Sequence, residues 1–276
     1  MMSSTRIGFA ITLALVLSGI AHAVPIYGGL TYDPTTQTGY NGASQNYGMG
    51  SPAGNGMAVG YAYKYDSGDV IGGGAMRWGA SSAASELGNL GISSSGYTHS
   101  SAFAINVNGT AVGSSVKYES GSHKGERAVR WDPSSTVAIE LGNLGTNSVG
   151  YTESRADAMN ASGTAVGWAR RNVSGVNKGN RAVRWNALGT EATALGHLGT
   201  DNNGVTRSQA SAINDAGTLV GFAKKYDESG NYHGFSAVRW DASGTVASEL
   251  GYIGPNYSSS SDFLMAPTPS TPQAQR

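Results

Sequence analysis

The sequence predicts an all-β fold built from four copies of one unit of about 54 residues. Trp78, Trp131, Trp185 and Trp240 recur at steps of 53, 54 and 55 residues. An arginine precedes each: Arg77, Arg130, Arg184 and Arg239. Between these marks lie short runs rich in Ala, Val, Ile and Thr, bounded by Gly, Asn, Asp or Ser, as strands are. Gly is frequent at 41 residues and Pro scarce at 8, a turn-rich β composition without the three-residue period of collagen. The expected arrangement is a four-bladed β-propeller, with an open β-repeat stack or solenoid as the alternative.

Residues 1–23 read as a signal peptide. Arg6 gives a positive start, Ile7 to Ile20 is apolar, and Ala21-His22-Ala23 offers the small side chains that signal peptidase accepts. The apolar run is about 14 residues, short of the ~20 that a spanning helix needs. The chain is therefore expected to be secreted or periplasmic and not membrane-embedded. It has no cysteine, so stability after export must come from packing. Without Arg6, 17 basic residues face 18 acidic ones, which gives no general attraction to nucleic acid. Residues 24–266 make the repeat domain, with repeats at about 38–91, 92–145, 146–199 and 200–254. The tail, 267–276, holds three prolines and no apolar pattern, and is expected to be disordered.

Each unit divides into four segments. In the second copy these are a (Ser101 to Asn106), b (Thr110 to Ser114), c (Ala128 to Trp131) and d (Val137 to Leu141). The a–b links are Asn106-Val-Asn-Gly109, Asn160-Ala-Ser-Gly163 and Asn214-Asp-Ala-Gly217, which is hairpin chemistry. The first copy keeps Gly56 but has Ala53 in place of Asn. The c–d link, Trp131-Asp-Pro-Ser-Ser-Thr-Val, predicts a second hairpin that sets Arg130 opposite Glu140 and Trp131 opposite Ile139. The same offset sets Arg77 near Glu86 and Arg239 near Glu249, and leaves Arg184 facing Ala194 with no acid.

Alternation then assigns faces. Phe103, Ile105, Val112, Val129, Trp131, Ile139 and Leu141 are bulky; Ala102, Ala104, Ala111, Gly113, Ala128 and Ala138 are small. The bulky face of one unit should sit on the small face of the next, head to tail. Leu87 to Gly91, Leu141 to Gly145, Leu195 to Gly199 and Leu250 to Gly254 read as exits toward the next unit. Ile26 to Leu30 and Asp262 to Ala266 resemble stray segments that could pair and close a ring.

The run Ala-x-x-Ile-Asn, Gly-x-x-Val-Gly, a strand ending in tryptophan, then Leu-Gly-x-Leu-Gly resembles the HAF family of extracellular repeats. It is carried by Ala102 to Gly113, Arg130-Trp131 and Leu141 to Gly145, and covers roughly residues 25 to 254 with the other copies. The His-Ala-Phe signature is replaced by Arg-Ala-Val-Arg-Trp at Arg127 to Trp131 and Arg181 to Trp185. The resemblance implies export and a propeller-like β fold, and adds little on mechanism.

Candidate binding residues come from the b–c connections. These carry Lys64-Tyr65-Asp66, Lys117-Tyr118-Glu119, Arg170-Arg171 and Lys225-Tyr226-Asp227. Tyrosine faces stack on sugars while neighbouring charges bond hydroxyls, so a glycan, a polymer or an envelope or surface protein is the expected partner. The alternative for the same residues is a strand extension with packed tyrosines. Thr200-Asp-Asn-Asn-Gly204 has a single carboxylate, too few for calcium. No metal site, cofactor or catalytic residue is assigned. His99, His123, His197 and His233 occupy different settings, His197 stands at an Asn position of the repeat, and no nucleophile-elbow or zinc-protease motif occurs. The chain reads as a non-enzymatic binding protein. The rivals are an extracellular polysaccharide-cleaving enzyme, lyase or hydrolase, whose carboxylates converge unseen, and a purely structural surface module.

Overall fold

The computed structural model describes residues 32–33, 38–41, 56–67, 69–79 and 84–251. The signal-peptide, tail and terminal-pairing expectations lie outside these residues. The described chain is all-β, with no helix. Two short strands come first, β1 (Tyr32–Asp33) before the repeats and β2 (Thr38–Asn41) at the start of the first, and β2 pairs with the next strand of unit one. Unit one has β3 (Ala58–Asp66), β4 (Asp69–Trp78) and β5 (Ala84–Glu86). Unit two has β6 (Thr98–Ile105), β7 (Ala111–Glu119), β8 (Ser122–Trp131) and β9 (Ile139–Glu140). Unit three has β10 (Ser154–Met159), β11 (Ala165–Val173), β12 (Val176–Trp185) and β13 (Ala192–Ala194). Unit four has β14 (Ser208–Ile213), β15 (Leu219–Tyr226), β16 (Tyr232–Trp240) and β17 (Ser248–Glu249).

Each unit is an antiparallel meander. The a–b hairpins close as the sequence suggests. Asn106 Oδ1 accepts from the N–H of Asn108 at 3.1 Å and of Thr110 at 3.0 Å, and Gly109 takes a φ of 86°. Asn160 and Asn214 repeat this at Thr164 and Thr218, both at 2.9 Å. Asn106 is 6% exposed, and its amide reaches Ala161 O in the next unit at 3.3 Å. These asparagines are structural.

Successive units stack head to tail. Val59, Ala75 and Leu87 of unit one pack on Ala102, Ile105, Ala111, Val129 and Trp131 of unit two. Ala104, Val112, Ala128 and Leu141 of unit two pack on Ala156, Ala165, Ala169, Val183 and Trp185 of unit three. Val166, Ala182 and Leu195 of unit three pack on Ala210, Leu219, Ala223, Val238 and Trp240 of unit four. The indoles are buried, and each donates to the exit segment of the preceding unit. Trp131 Nε1 reaches Gly88 O at 2.9 Å, Trp185 reaches Gly142 O at 2.9 Å, and Trp240 reaches Gly196 O at 3.0 Å. The exit backbones then bond forward: Gly88 N–H donates to Thr136 O and Gly142 N–H to Thr190 O, each at 2.6 Å. A buried donor and acceptor that would each cost about 1–3 kcal/mol unpaired thereby tie one unit to the next.

Three sheets result. Units one and two share the largest through a short parallel ladder, Gly72↔Thr98 and Gly73↔His99; units three and four form separate four-stranded sheets. No closed barrel or propeller forms among the described residues. The forward face of unit four, with Val220 at 41% and Leu250 at 41% exposure, is uncovered among the described residues.

Three expectations about faces are corrected. Ala111, expected on the small face, packs with Val129 and Trp131 against unit one, and Val112, expected on the bulky face, packs with Ala128 against unit three. In β6 a bulge between Ala102 and Ala104 breaks the alternation, so Ala102 joins Ile105 against unit one while Ala104 faces unit three. The same bulge recurs at Ala156/Ala158 and Ala210/Ala212. The c–d register is also one residue from the expected one: Val129 pairs with Glu140 and Arg130 with Ile139. A one-residue slip turns every side chain over. Leu141 accordingly packs with Ala128 against unit three, away from Trp131.

That slip overturns the Arg–Glu pairing. Arg77, Arg130 and Arg184 reach the c–d turn of the following unit instead. Arg77 donates to Pro133 O at 2.6 Å and Asp132 O at 2.9 Å. Arg130 donates to Ala187 O at 3.1 Å and Gly189 O at 3.3 Å, with Asp132 Oδ1 at 2.9 Å from its Nε. Arg184 donates to Ala242 O, so it is not left over. Arg239 pairs with Asp241 at 3.2 Å.

Candidate functional site

The residues chosen from the b–c connections, except Asp227, lie on strands and not in long loops. Lys64, Tyr65 and Asp66 end β3, Lys117, Tyr118 and Glu119 end β7, Arg170 and Arg171 lie near the end of β11, and Lys225 and Tyr226 end β15. Short turns are the reason. Ser67, Ser120 and Ser174 have φ of 49°, 50° and 50°, and Gly121 and Gly175 follow Ser120 and Ser174 at 76° and 79°. Two successive positive φ values make the two-residue turn whose twist matches the strands, so the ladder continues to Glu119↔Ser122 and Val173↔Val176. In unit four a wider turn is capped by Asp227. Its Oδ1 accepts from the N–H of Ser229 and Asn231, each at 2.9 Å, and its Oδ2 lies 3.0 Å from His233 Nε2. The His233 bond, with those from Asn231 and Ser229, holds the Asp227 carboxyl well below the usual carboxylate range.

A register shift opposes two residues of β8, Lys124 and Gly125, to the single Lys117 of β7. Gly125, at φ 94°, permits it: a Cβ there would stand 2.0 Å from Thr152 O. In unit three the residue in this place is Arg171, which bridges Leu144 as Lys117 bridges Leu90 and Lys225 bridges Leu198. Arg170 lies one step earlier and forms an ion pair with Glu153.

The basic residues reach the short d strands of their own units. Lys64 Nζ donates to Glu86 Oε1 at 2.6 Å, Lys117 Nζ to Glu140 Oε2 at 2.9 Å, and Lys225 Nζ to Glu249 Oε2 at 2.8 Å. Glu140 has a second partner that sequence reasoning missed. Arg127, 2% exposed at its side chain, places Nε 3.2 Å from Glu140 Oε1. Its other nitrogens donate to Thr152 O and, at 3.1 Å, to Gly150 O. The first arginine of Arg-Ala-Val-Arg-Trp was the available signal.

The chain matches no protein-family model and no curated protein.

The tyrosines gather with other aromatic rings. The Tyr118 ring lies 5.6 Å from His123, which lies 5.7 Å from Tyr151 at the start of the next unit. Tyr226 lies 5.6 Å from Tyr232, Tyr232 6.1 Å from Phe235, and Phe235 5.4 Å from Phe222. Lys224 Nζ sits over the Tyr232 and Phe235 rings at 5.1 and 5.8 Å. Tyr118 and Tyr226 are half-buried, whereas Tyr232 and Phe235 are exposed. The strand-extension reading of Lys-Tyr-Asp is thus correct for the backbone, and it still leaves ring surface at the hairpin ends.

Asp201, in the loop considered for calcium, is used locally. Its Oδ1 accepts from the N–H of Asn203 at 2.9 Å and of Val205 at 2.8 Å. Asn147 does the same for Val149 and Tyr151, so the loop is a side-chain-capped turn that either residue can build.

Proposed function

We propose that this chain is a secreted, non-enzymatic β-repeat protein that binds a glycan through the aromatic-bearing ends of its b–c hairpins. The carrying observation is the pair of aromatic rows, Tyr118–His123–Tyr151 and Tyr226–Tyr232–Phe235, set among charged strand ends. Such rings offer apolar faces to sugar rings while Glu119, Asp227 and Lys224 can bond hydroxyls. The resemblance to HAF-type extracellular repeats points the same way on export. A glycan array with the purified chain tests the reading. Binding is expected, and the combined Tyr65→Ala, Tyr118→Ala and Tyr226→Ala variant should weaken it about tenfold or more, since stacking is worth ~1 kcal/mol or more per ring. An array without hits, or binding untouched in the variant, would overturn it.

Export through residues 1–23 belongs to the same proposal. Secreted protein should begin at Val24 when its N-terminus is sequenced. The four units are further read as propeller blades. Their repeated head-to-tail relation supports this, because closing the ring would cover the open face of unit four. Thiol labelling of a Val220→Cys variant tests closure: slow labelling supports a ring, and fast labelling supports the open stack.

A further inference from the structure

Unit three breaks the charge pattern of its neighbours at one position. Glu140 of unit two pairs across the strands with Val129, and Ala194 of unit three pairs in the same way with Val183. The two cations that Glu140 joins, Lys117 and Arg127, correspond to Arg171 and Arg181. Arg181 keeps the backbone bonds of Arg127: its Nη1 donates to Thr206 O at 3.0 Å and its Nη2 to Gly204 O at 3.5 Å. Its Nε, whose counterpart donates to Glu140, has no acceptor among the described residues, and the Arg171 side chain has neither a hydrogen bond nor an ion pair there. Arg181 is only 5% exposed.

The missing side chain leaves space. Arg171, Arg181, Ala194, Leu195, Gly196, His197 and Thr245 line an open cleft of about 420 Å³. His197 stands where units one and two have Asn89 and Asn143. Burial and the Arg171 charge push the Arg181 guanidinium down to about 10, so it remains protonated at neutral pH while carrying an uncompensated charge. Burial, then the Arg181 charge and to a lesser degree that of Arg171, also lower the His197 ring from its ordinary value, against a bond to the Gly199 backbone that opposes the shift. Every one of these groups would gain from an anion placed where the glutamate carboxylate lies in unit two.

We propose that this cleft is a carboxylate-binding site, in which a ligand carboxylate takes the place that Glu140 fills in unit two and bonds Arg181 Nε and Arg171. The planar guanidinium fork suits a carboxylate, and the cleft is open enough for the group to be borne by a larger molecule. The carboxylate can come from a small free acid or from a uronate unit of an acidic polysaccharide. The site uses neither the tyrosines nor their rows, so it stands or falls separately from glycan binding there.

Acetate and an oligogalacturonide, titrated separately into the full chain and followed by NMR, distinguish the two sources. Saturable shifts confined to the surroundings of Ala194 and His197 are expected, with acetate in the millimolar range. An oligogalacturonide that binds at least about tenfold more tightly than acetate identifies the polymer as the source, and equal affinities identify the small acid. Ala194→Glu supplies an internal carboxylate and should abolish both responses while raising the thermal midpoint. Glu140→Ala should create a second acetate site at Arg127 and Lys117. The proposal is overturned if neither probe gives saturable shifts at the cleft, or if Ala194→Glu binds as the natural chain does.

Discussion

Removing Glu140 should destabilise the protein through Arg127 and not through Arg130. The Arg127 side chain is 2% exposed, and its Nε would lose an acceptor at 3.2 Å. A hydrogen bond to a charged group contributes about 1.5–3 kcal/mol. The Lys117 pair is about a quarter exposed on both sides, at 26% and 28%, so screening leaves it with about 0.5 kcal/mol. Glu140→Ala should therefore cost about 2–3.5 kcal/mol. Arg127→Ala also strands the carbonyls of Thr152 and Gly150, so a double-mutant cycle is needed to isolate the pair. In urea unfolding followed by tryptophan fluorescence, the Arg127/Glu140 cycle should show a coupling of about 1–2 kcal/mol. The Arg130/Glu140 cycle should be additive within about 0.5 kcal/mol, because Arg130 is held by Asp132, Ala187 O and Gly189 O. The reverse result, with coupling at Arg130 and none at Arg127, would refute the register on which this account depends.

Trp185→Phe keeps much of the packing but strands the Gly142 carbonyl; it should cost about 1–3 kcal/mol in the same unfolding assay, and a neutral result would remove the indole bond from the list of inter-unit ties. Gly167→Ala would bring a Cβ to 2.0 Å from Arg155 O, so the strand pair must part and the loss should exceed about 2 kcal/mol or prevent folding, as read by circular dichroism. Asp157 tests pH dependence. Burial raises its carboxyl above the ordinary value, against the opposing bonds from Arg155 and Gln209. A folded-state pKa above the unfolded one makes the contribution greatest below the unfolded pKa, and it is lost as pH rises through the folded pKa. The stability of the natural chain relative to Asp157→Asn should therefore fall as pH rises above about 4, and a difference that stays constant with pH would contradict the burial argument.

What could be read without coordinates was whatever repeats and depends on local chemistry. The asparagine-led a–b turns, the faces of Val129, Trp131 and Ala128, and the head-to-tail stacking follow from turn residues and alternation, and all hold in the structure. Two features were hidden because each adds or shifts one residue. The bulge after Ala102 is set by how β6 meets β7, which no local composition signals. The Pro133–Ser135 turn allows two counts of the c–d register, and the carbonyls of that turn are fixed by Arg77 from the preceding unit, which no local sequence signals.

The consequence reaches the candidate site. In the expected register Ala194 deprives Arg184 of a partner, and Arg184 is the residue to suspect. In the observed one Arg184 reaches the Ala242 carbonyl. The deficit passes instead to Arg181 and Arg171, one buried and one at the edge of a cleft. A repeat hides function by making its residues look alike, and it exposes function where one copy omits a side chain that the others use. Two things define that place: the alignment of units, which the spacing of tryptophans carries, and the pairing across β12 and β13, which only the fold carries. The same substitution of Glu by Ala changes meaning entirely with a shift of one residue, because alternation decides which cation loses its acid.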